Sequence, residues 1–328
     1  MRKILTLSRV AAVCALSVLT VACGSDDSTS DNTDNGDAAG TTTPADTSSN
    51  GELPTIVVTT NILGDIVTQA VGDLAEVEVI MPVGADPHDF APSARQAESM
   101  ENADLLVTNG AGFEEGMREV IEQVESSGTP VFSFADQVEL IEFSGEGHIG
   151  DDPHIWNDPS RMITAVEAFG VEFASLGGVD AAAVEAQVQS YVDELTALDA
   201  EMEDTLSTIP AEQRVLVTNH VVFGYFADRF SFEVVGAVIP SSTTNAEPST
   251  AEVEALVALI EQEQIPAIFA DTSSPSRLAG AIASSASGDV QVVALYSESL
   301  GEPGSGADSY LTMMATNATL IADALIPA

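Results

Sequence analysis

The chain has 328 residues, with 52 acidic residues against 9 basic ones and a formal net charge of −43. This charge repels phosphate backbones and argues against nucleic-acid binding, and the length favours two lobes over one compact core. Because hydrophobic residues make up 45% of the chain, most of it can fold. Cys14 and Cys23 both lie near the N-terminus, so the remainder holds neither a disulfide nor a thiolate metal site.

The first 22 residues are typical of a secretory signal peptide. Positive charge at residues 1–3 is followed by a short apolar run over residues 10–22. Residues 19–24, Leu-Thr-Val-Ala-Cys-Gly, resemble the bacterial lipobox, in which the cysteine becomes lipid-modified. We therefore expect export, lipidation of Cys23 and a lipid anchor at the outer face of the cell membrane or in the periplasm. Ordinary cleavage that leaves a free cysteine is the alternative.

Composition and periodicity divide the rest of the chain into a tether, two lobes and a linking helix. Residues 23–53 begin at the lipidated cysteine and are almost wholly small and polar, which predicts a disordered tether. We place the N-terminal lobe at 54–177, the linking helix at 178–210 and the C-terminal lobe at 211–328.

Short β-rich runs alternate with helical stretches in both lobes. This alternation predicts an α/β fold of two similar lobes, each with a parallel four-stranded sheet covered by helices. The predicted strands are Thr55–Thr60, Glu76–Met81, Asp104–Asn109, Pro130–Phe134, Arg214–Asn219, Glu233–Ile239, Pro266–Ala270 and Val290–Leu295. The helices predicted between them include Phe113–Ser126, Pro248–Gln264 and Pro275–Ser287.

One long helix is predicted over Ala181–Thr208, between the two lobes. Apolar residues recur there at steps of three and four, which places them on one helical face, and neither Pro nor Gly interrupts the stretch. Asp180 is placed to cap its start. At a rise of about 1.5 Å per residue the rod is about 42 Å long, so it would join the lobes stiffly and disfavour large hinge closure. Two shorter helices with a bend between them are the alternative.

Histidine is scarce, and three of the four histidines follow predicted strands or lie in loops before helices. His88 and His154 each end an Asp-Pro-His tripeptide, and His220 directly follows a strand. In open α/β sheets, ligands bind at the carboxyl ends of the strands, which is where these histidines are predicted to lie. Proline stiffens the turn that presents the imidazole, and Asp86 and Asp152 are placed to hold a ring N–H of the histidine that follows. We interpret the three histidines as metal ligands, with a structural role as the alternative for each one taken alone.

Four motifs, taken in order, resemble the metal-binding subunits of bacterial zinc and manganese ABC importers, the cluster A-I solute-binding lipoproteins. The motifs are Gly-x-Asp-Pro-His at 84–88, Asp-Pro-His-Ile-Trp-Asn-Asp-Pro at 152–159, His-x-x-Phe-x-Tyr-Phe at 220–226 and Tyr-Ser-Glu-Ser-Leu at 296–300. The resemblance runs from about residue 53 to the C-terminus and implies four ligands, two per lobe, around one ion in the cleft. Carried over to this chain, the implied ligands are His88, His154, His220 and Glu298.

The resemblance leaves the carboxylate and the metal partly open. Many family members carry aspartate where Glu298 stands; a solvated surface acid is the alternative role for Glu298, and Asp271, which ends a strand, is the rival carboxylate. Three imidazoles and one carboxylate suit zinc in a tetrahedron. Manganese prefers more oxygen ligands, and manganese-type members often have glutamate at the place of His220. Zinc is therefore favoured, with manganese or iron as the alternative.

The resemblance implies a monomer that captures the ion outside the cytoplasm and delivers it to an ABC permease, without catalysis. A zinc-dependent hydrolase with Glu298 as a base beside the ion is an alternative of another class, because three histidines and a metal-bound water would suffice for it. A surface adhesin is a third alternative. His148 lies in the short segment 145–152, which we expect to form a mobile loop at the cleft rim and to contribute little to binding.

Overall fold

The computed structural model describes residues 53–145, 148–274 and 276–326. The predicted signal peptide, Cys23 and nearly all of the predicted tether lie outside these residues. In the part of the chain that the structure describes, no helix combines the length and the apolar character needed to cross a membrane.

Two parallel four-stranded sheets form the framework, as the alternation of strands and helices predicts. The first sheet comprises β1 (Thr55–Val58), β2 (Glu76–Val79), β3 (Leu105–Thr108) and β4 (Val131–Ser133), in the spatial order β2-β1-β3-β4. A separate antiparallel hairpin follows, formed by β5 (Glu142–Gly145) and β6 (His148–Asp151). The second sheet comprises β7 (Val215–His220), β8 (Glu233–Ile239), β9 (Ala267–Asp271) and β10 (Gln291–Leu295), in the order β10-β9-β7-β8.

Helices connect the parallel strands and cover the sheets. They are α1 (Asn61–Val71), α2 (Ala94–Glu101), α3 (Arg118–Ser127), α4 (Pro159–Ser175), α5 (Ala181–Ser207), α6 (Gly224–Phe230), α7 (Thr250–Glu263), α8 (Arg277–Ser285) and α9 (Tyr310–Leu325). One hydrophobic cluster runs through both lobes, and it includes Ile56 of β1, Leu195 of α5 and Phe269 of β9. The two sheets therefore share a packed core.

The long helix between the lobes is continuous, so the alternative of two shorter helices is wrong. Helix α5 spans 27 residues. The Asp180 side chain caps it as predicted, because Oδ1 accepts hydrogen bonds from the backbone N–H groups of Ala182 and Ala183 at 3.0 and 3.4 Å. The buried face of α5 packs against α1, α4 and α9.

The apolar face of α5 should carry much of its stability. Leu195 is fully buried on that face, so we expect Leu195→Ala to lower the free energy of unfolding by about 2–5 kcal/mol through the cavity it leaves. Equilibrium denaturation in urea measures this. The matched control is Val171→Ala on α4, where the side chain is 75% exposed; its effect should stay within about 0.5 kcal/mol. Equal effects of the two substitutions would contradict the packing described here.

The segment 145–152 differs from its prediction as a loop. Strands β5 and β6 pair in an antiparallel register that sets Gly145 opposite His148. Only Glu146 and Gly147 separate the two strands, and a two-residue connection that contains glycine favours a hairpin. The side chain of His148 lies outside what the structure describes, so its small contribution to binding stays a prediction.

Candidate metal site

The three histidines and Glu298 lie together, although up to 210 positions separate them along the chain. His220 is the last residue of β7, and the other three follow β2, β6 and β10. One nitrogen or oxygen atom of each side chain lies within 4.8 Å of the corresponding atom of every other. No side chain of the four is more than 2% exposed, so the group is closed to solvent.

The four atoms have the spacing of ligands to one small ion. Glu298 Oε1 lies 2.9 Å from His88 Nε2, 3.1 Å from His220 Nε2 and 3.6 Å from His154 Nε2. Two ligands of one tetrahedral zinc ion are about 3.3 Å apart when each bond to the metal is about 2.0–2.1 Å long. Small side-chain shifts would therefore suffice for all four atoms to share an ion.

The ring of His154 is held by Asp152, as the Asp-Pro-His motif predicts. Asp152 Oδ1 accepts hydrogen bonds from His154 Nδ1 at 2.7 Å and from the His154 backbone N–H at 3.0 Å. A proton kept on Nδ1 leaves the lone pair on Nε2. That nitrogen is buried and has no hydrogen-bond partner among the described residues, as expected of an atom that binds a metal.

The ring of His88 is held in a different way, and the predicted role of Asp86 at the ring is wrong. Asp86 Oδ1 accepts the backbone N–H of His88 at 3.0 Å, while Oδ2 accepts the hydroxyl of Thr244 at 2.7 Å. The ring turns instead toward Glu115, whose Oε1 lies 3.1 Å from His88 Nδ1. Glu115 is 27 positions away along the chain, and no motif pointed to it.

The two nitrogens of His88 both face carboxylate oxygens, of Glu115 and of Glu298. Carboxylates only accept hydrogen bonds, so this arrangement favours the doubly protonated ring. Burial lowers the pKa of His88, but the hydrogen bonds to Glu115 and Glu298 and the nearby negative charges outweigh it and raise this pKa to about 10. A metal ion that binds Nε2 must therefore displace a proton.

Glu298 stays ionised in spite of its burial. Burial raises the pKa of Glu298, yet the electrostatic interaction with His220 and the hydrogen bonds with the imidazoles hold this pKa well below its ordinary value. The second oxygen, Oε2, is buried without a hydrogen-bond partner in the described part of the chain. The site thus offers an anionic oxygen ligand together with three imidazole nitrogens.

The loop that carries Glu298, residues 296–300, is attached to the N-terminal lobe by three hydrogen bonds. Two are buried, from Trp156 Nε1 to Ser297 O and from Leu300 N to Asn61 Oδ1, each at 2.8 Å. The third, from Gly84 N to Ser299 Oγ at 2.7 Å, is half-buried. Glu298 is therefore fixed next to His88 and His154, although it follows a strand of the second sheet.

Asp271, the rival carboxylate, does not belong to the group of four. It is buried at the end of β9 and accepts hydrogen bonds from the hydroxyls of Ser273 and Ser297. Burial, and then the negative charge of Glu298, raise the pKa of Asp271. Its bond to Ser297 supports the loop that carries Glu298.

Three residues near the histidines, Phe113, Glu114 and Glu115, could not be recognised from the sequence, because they lie at the start of the predicted helix Phe113–Ser126. The helix α3 begins only at Arg118, after a short 3-10 turn over Glu115–Met117. Phe113 packs its ring against His88 and His154, with centroid distances of 5.1 and 5.8 Å. The buried Glu114 accepts the hydroxyl of Thr59 at 2.7 Å, and so joins the ends of β1 and β3.

The family model for ZnuA, described as zinc-uptake complex component A, periplasmic, matches residues 56–324. The chain belongs to this family. The zinc-binding protein TroA of Treponema pallidum is 30% identical over 276 residues, which are 83% of this chain and 89% of TroA. The manganese ABC transporter substrate-binding lipoprotein PsaA of Streptococcus pneumoniae is 27% identical over 277 residues, which are 82% of this chain and 88% of PsaA.

The solved structure of periplasmic zinc-binding protein TroA from Treponema pallidum has the same two-lobe fold. It superposes with a TM-score of 0.78 at 29% identity, covering 84% of this chain and all of that chain. These comparisons confirm the resemblance inferred from the motifs and the fold class predicted from the alternation of strands and helices. The family is one of substrate-binding transport proteins, and its members are named for zinc as well as for manganese.

Proposed function

We propose that this protein captures a divalent transition-metal ion outside the cytoplasm and delivers it to an ABC permease. The observation that carries the proposal is the closed group of four side chains with candidate ligand atoms within 4.8 Å of one another. His88, His154 and His220 would bind through Nε2 and Glu298 through its carboxylate. The relatives are substrate-binding components of such importers, which supports a permease as the partner.

Zinc is the cargo that the donor set supports best. Three nitrogen donors and one carboxylate fill a tetrahedron, whereas manganese prefers a shell richer in oxygen. Manganese, which names several relatives, is the second candidate. Most sites of this kind bind zinc more tightly than manganese. Affinity measured in vitro therefore does not by itself identify the cargo.

The geometry supports capture over catalysis. A catalytic zinc site has three protein ligands and keeps one position for water. Glu298 Oε1 lies at ligand spacing from His88 and His220, which supports a shell filled by protein and leaves no position for an activated water. The hydrolase alternative requires that Glu298 does not bind the ion directly.

We infer the remaining organisation from the sequence. Cys23 would carry the lipid anchor at the end of the tether, and residues 54–177, 178–210 and 211–328 would form the two lobes and the helix between them. The protein would act as a monomer at the outer face of the membrane or in the periplasm.

The proposal is tested by metal analysis of the full chain purified from cells grown with both zinc and manganese, followed by a zinc titration of the stripped protein against a coloured chelator. We expect one zinc per chain and saturable binding. Manganese in place of zinc in the protein from cells would favour the second candidate. No saturable binding of either metal would overturn the proposed function.

A further inference from the structure

Several sets of contacts join the lobes near the metal site, including buried hydrogen bonds from Asn157 to Val222 and from Tyr225 to Asp152. Two other sets reach the loops that carry Glu298 and His88. The first attaches residues 296–300 through buried hydrogen bonds to Trp156 and Asn61 and a half-buried one to Gly84. The second is made by residues 241–247, which follow β8 and which we call the strap. The strap reaches from the C-terminal lobe to the loop that carries His88.

The tip of the strap contacts His88 and both carboxylates that hold it. Thr244 Oγ1 donates to Asp86 Oδ2 at 2.7 Å, and Asn245 Nδ2 donates to the backbone oxygen of His88 at 3.1 Å and to Glu115 Oε2 at 3.4 Å. Asp86 and Glu115 each use their other oxygen on His88, at the backbone N–H and at Nδ1. Each carboxylate therefore bridges His88 and the strap.

The base of the strap is tied to the strand that ends in His220. The backbone N–H of Val221 donates to the carbonyl oxygen of Ser241 at 2.9 Å. In the parallel ladder of β7 and β8, His220 lies opposite Ile239, two residues before the strap. The strap thus connects the two histidines, one from each lobe, that flank Glu298 Oε1 at 2.9 and 3.1 Å.

The two attachments differ in how easily they can break. Ser299 and Asn61 are at most 6% exposed, whereas Asn245 is exposed and Thr244 is half-buried. Water replaces the partners of an exposed hydrogen bond at little cost, while breaking a buried one leaves polar groups without partners. Since the candidate ligands are closed to solvent, some contact must break before an ion can leave.

We propose that Thr244 and Asn245 are positioning residues that hold His88 against His220 and set the rate at which the metal leaves. The cleft opens by release of the strap, while Glu298 stays attached to the N-terminal lobe through residues 296–300. This inference rests on the proposed function, because it concerns the same four ligands.

The test is the rate of zinc release from the loaded full chain into excess chelator, followed by stopped flow. Each of Thr244→Val and Asn245→Ala should speed release at least about fivefold, because the first loses a hydrogen bond to the Asp86 carboxylate and the second loses its bonds to His88 O and Glu115. The double variant should speed release at least about 20-fold. Thr244→Ser keeps the hydroxyl and should restore the wild-type rate. The matched control is Thr319→Val on α9, where the exposed hydroxyl bonds only within its own helix, to Ala315 O at 3.0 Å.

A second readout separates positioning from a change of ligands. The visible absorption of cobalt bound to the double variant should match that of the wild type, because all four ligands remain. A changed spectrum, or a double variant that releases zinc at the wild-type rate, would overturn the role of the strap while zinc binding by the wild type keeps the proposed function intact. If Thr244→Val fails to fold, Asn245→Ala, at an exposed position, carries the same test.

Discussion

Zinc affinity should fall by more than about 100-fold in His154→Ala, because removing even the partners that hold metal ligands in place costs about 10–100-fold. The His154 ring is fully buried, Asp152 holds its Nδ1 at 2.7 Å, and its Nε2 has no other partner among the residues described. Competition against a chelator of known affinity measures the loss. His148→Ala is the comparison among the histidines and should leave the affinity within about threefold, because His148 is not one of the four implied ligands.

The same titration applied to Glu298 separates capture from catalysis. Glu298→Ala removes the anionic ligand and should weaken zinc binding as strongly as His154→Ala. Glu298→Asp keeps the carboxylate but shortens it by one methylene, so we expect an intermediate affinity. An unchanged affinity in Glu298→Ala would show that this carboxylate does not bind the metal. The hydrolase alternative would then be tested by assaying the zinc-loaded protein for hydrolysis.

Zinc affinity should also fall steeply as the pH is lowered from about 8 to about 5.5. Zinc binds the unprotonated imidazole, and each proton that it displaces costs up to about tenfold in affinity per pH unit below the pKa of the ring. Because the pKa of His88 is raised to about 10, its proton competes with zinc over this whole range. Titrations at several pH values measure the slope, and calorimetry in buffers of different ionisation enthalpy counts the protons released.

Glu115→Gln is the informative variant for this pH dependence. The hydrogen bond to Glu115 is the largest of the contributions that raise the pKa of His88. Its removal should lower that pKa and reduce the number of protons released near pH 7.5. Affinity that does not change with pH in the wild type would contradict zinc binding by His88.

The order of elements could be predicted because it depends on local patterns. The eight strands of the two sheets stand out as short β-rich runs, and their parallel arrangement follows from the alternation with helices, whereas the strand order within each sheet comes only from the structure. The continuous helix α5 follows from its three- and four-residue steps and from Asp180. The hairpin of β5 and β6 was missed because its strands contain glycine and acidic residues and lack β-branched character.

The three histidines were identifiable because each one lies at a strand end or inside a stiff Asp-Pro-His turn, both of which are local features. Asp152 illustrates the limit of such reasoning. The same tripeptide places Asp152 on the ring of His154 and Asp86 on the backbone of His88, so the motif did not reveal which aspartate would reach the imidazole.

Short-range patterns were thus sufficient for the eight strands of the two sheets, the long helix and the choice of the three histidines as candidate ligands, because hydrophobic periodicity, capping and turn chemistry act within a few residues. The partners of those histidines depended on packing. Glu115 lies 27 positions from His88, and Thr244 lies 158 positions from Asp86. The first contact forms when the N-terminal lobe packs and the second only when the two lobes dock, because packing selects, among many acidic and polar side chains, the few that come within hydrogen-bonding distance.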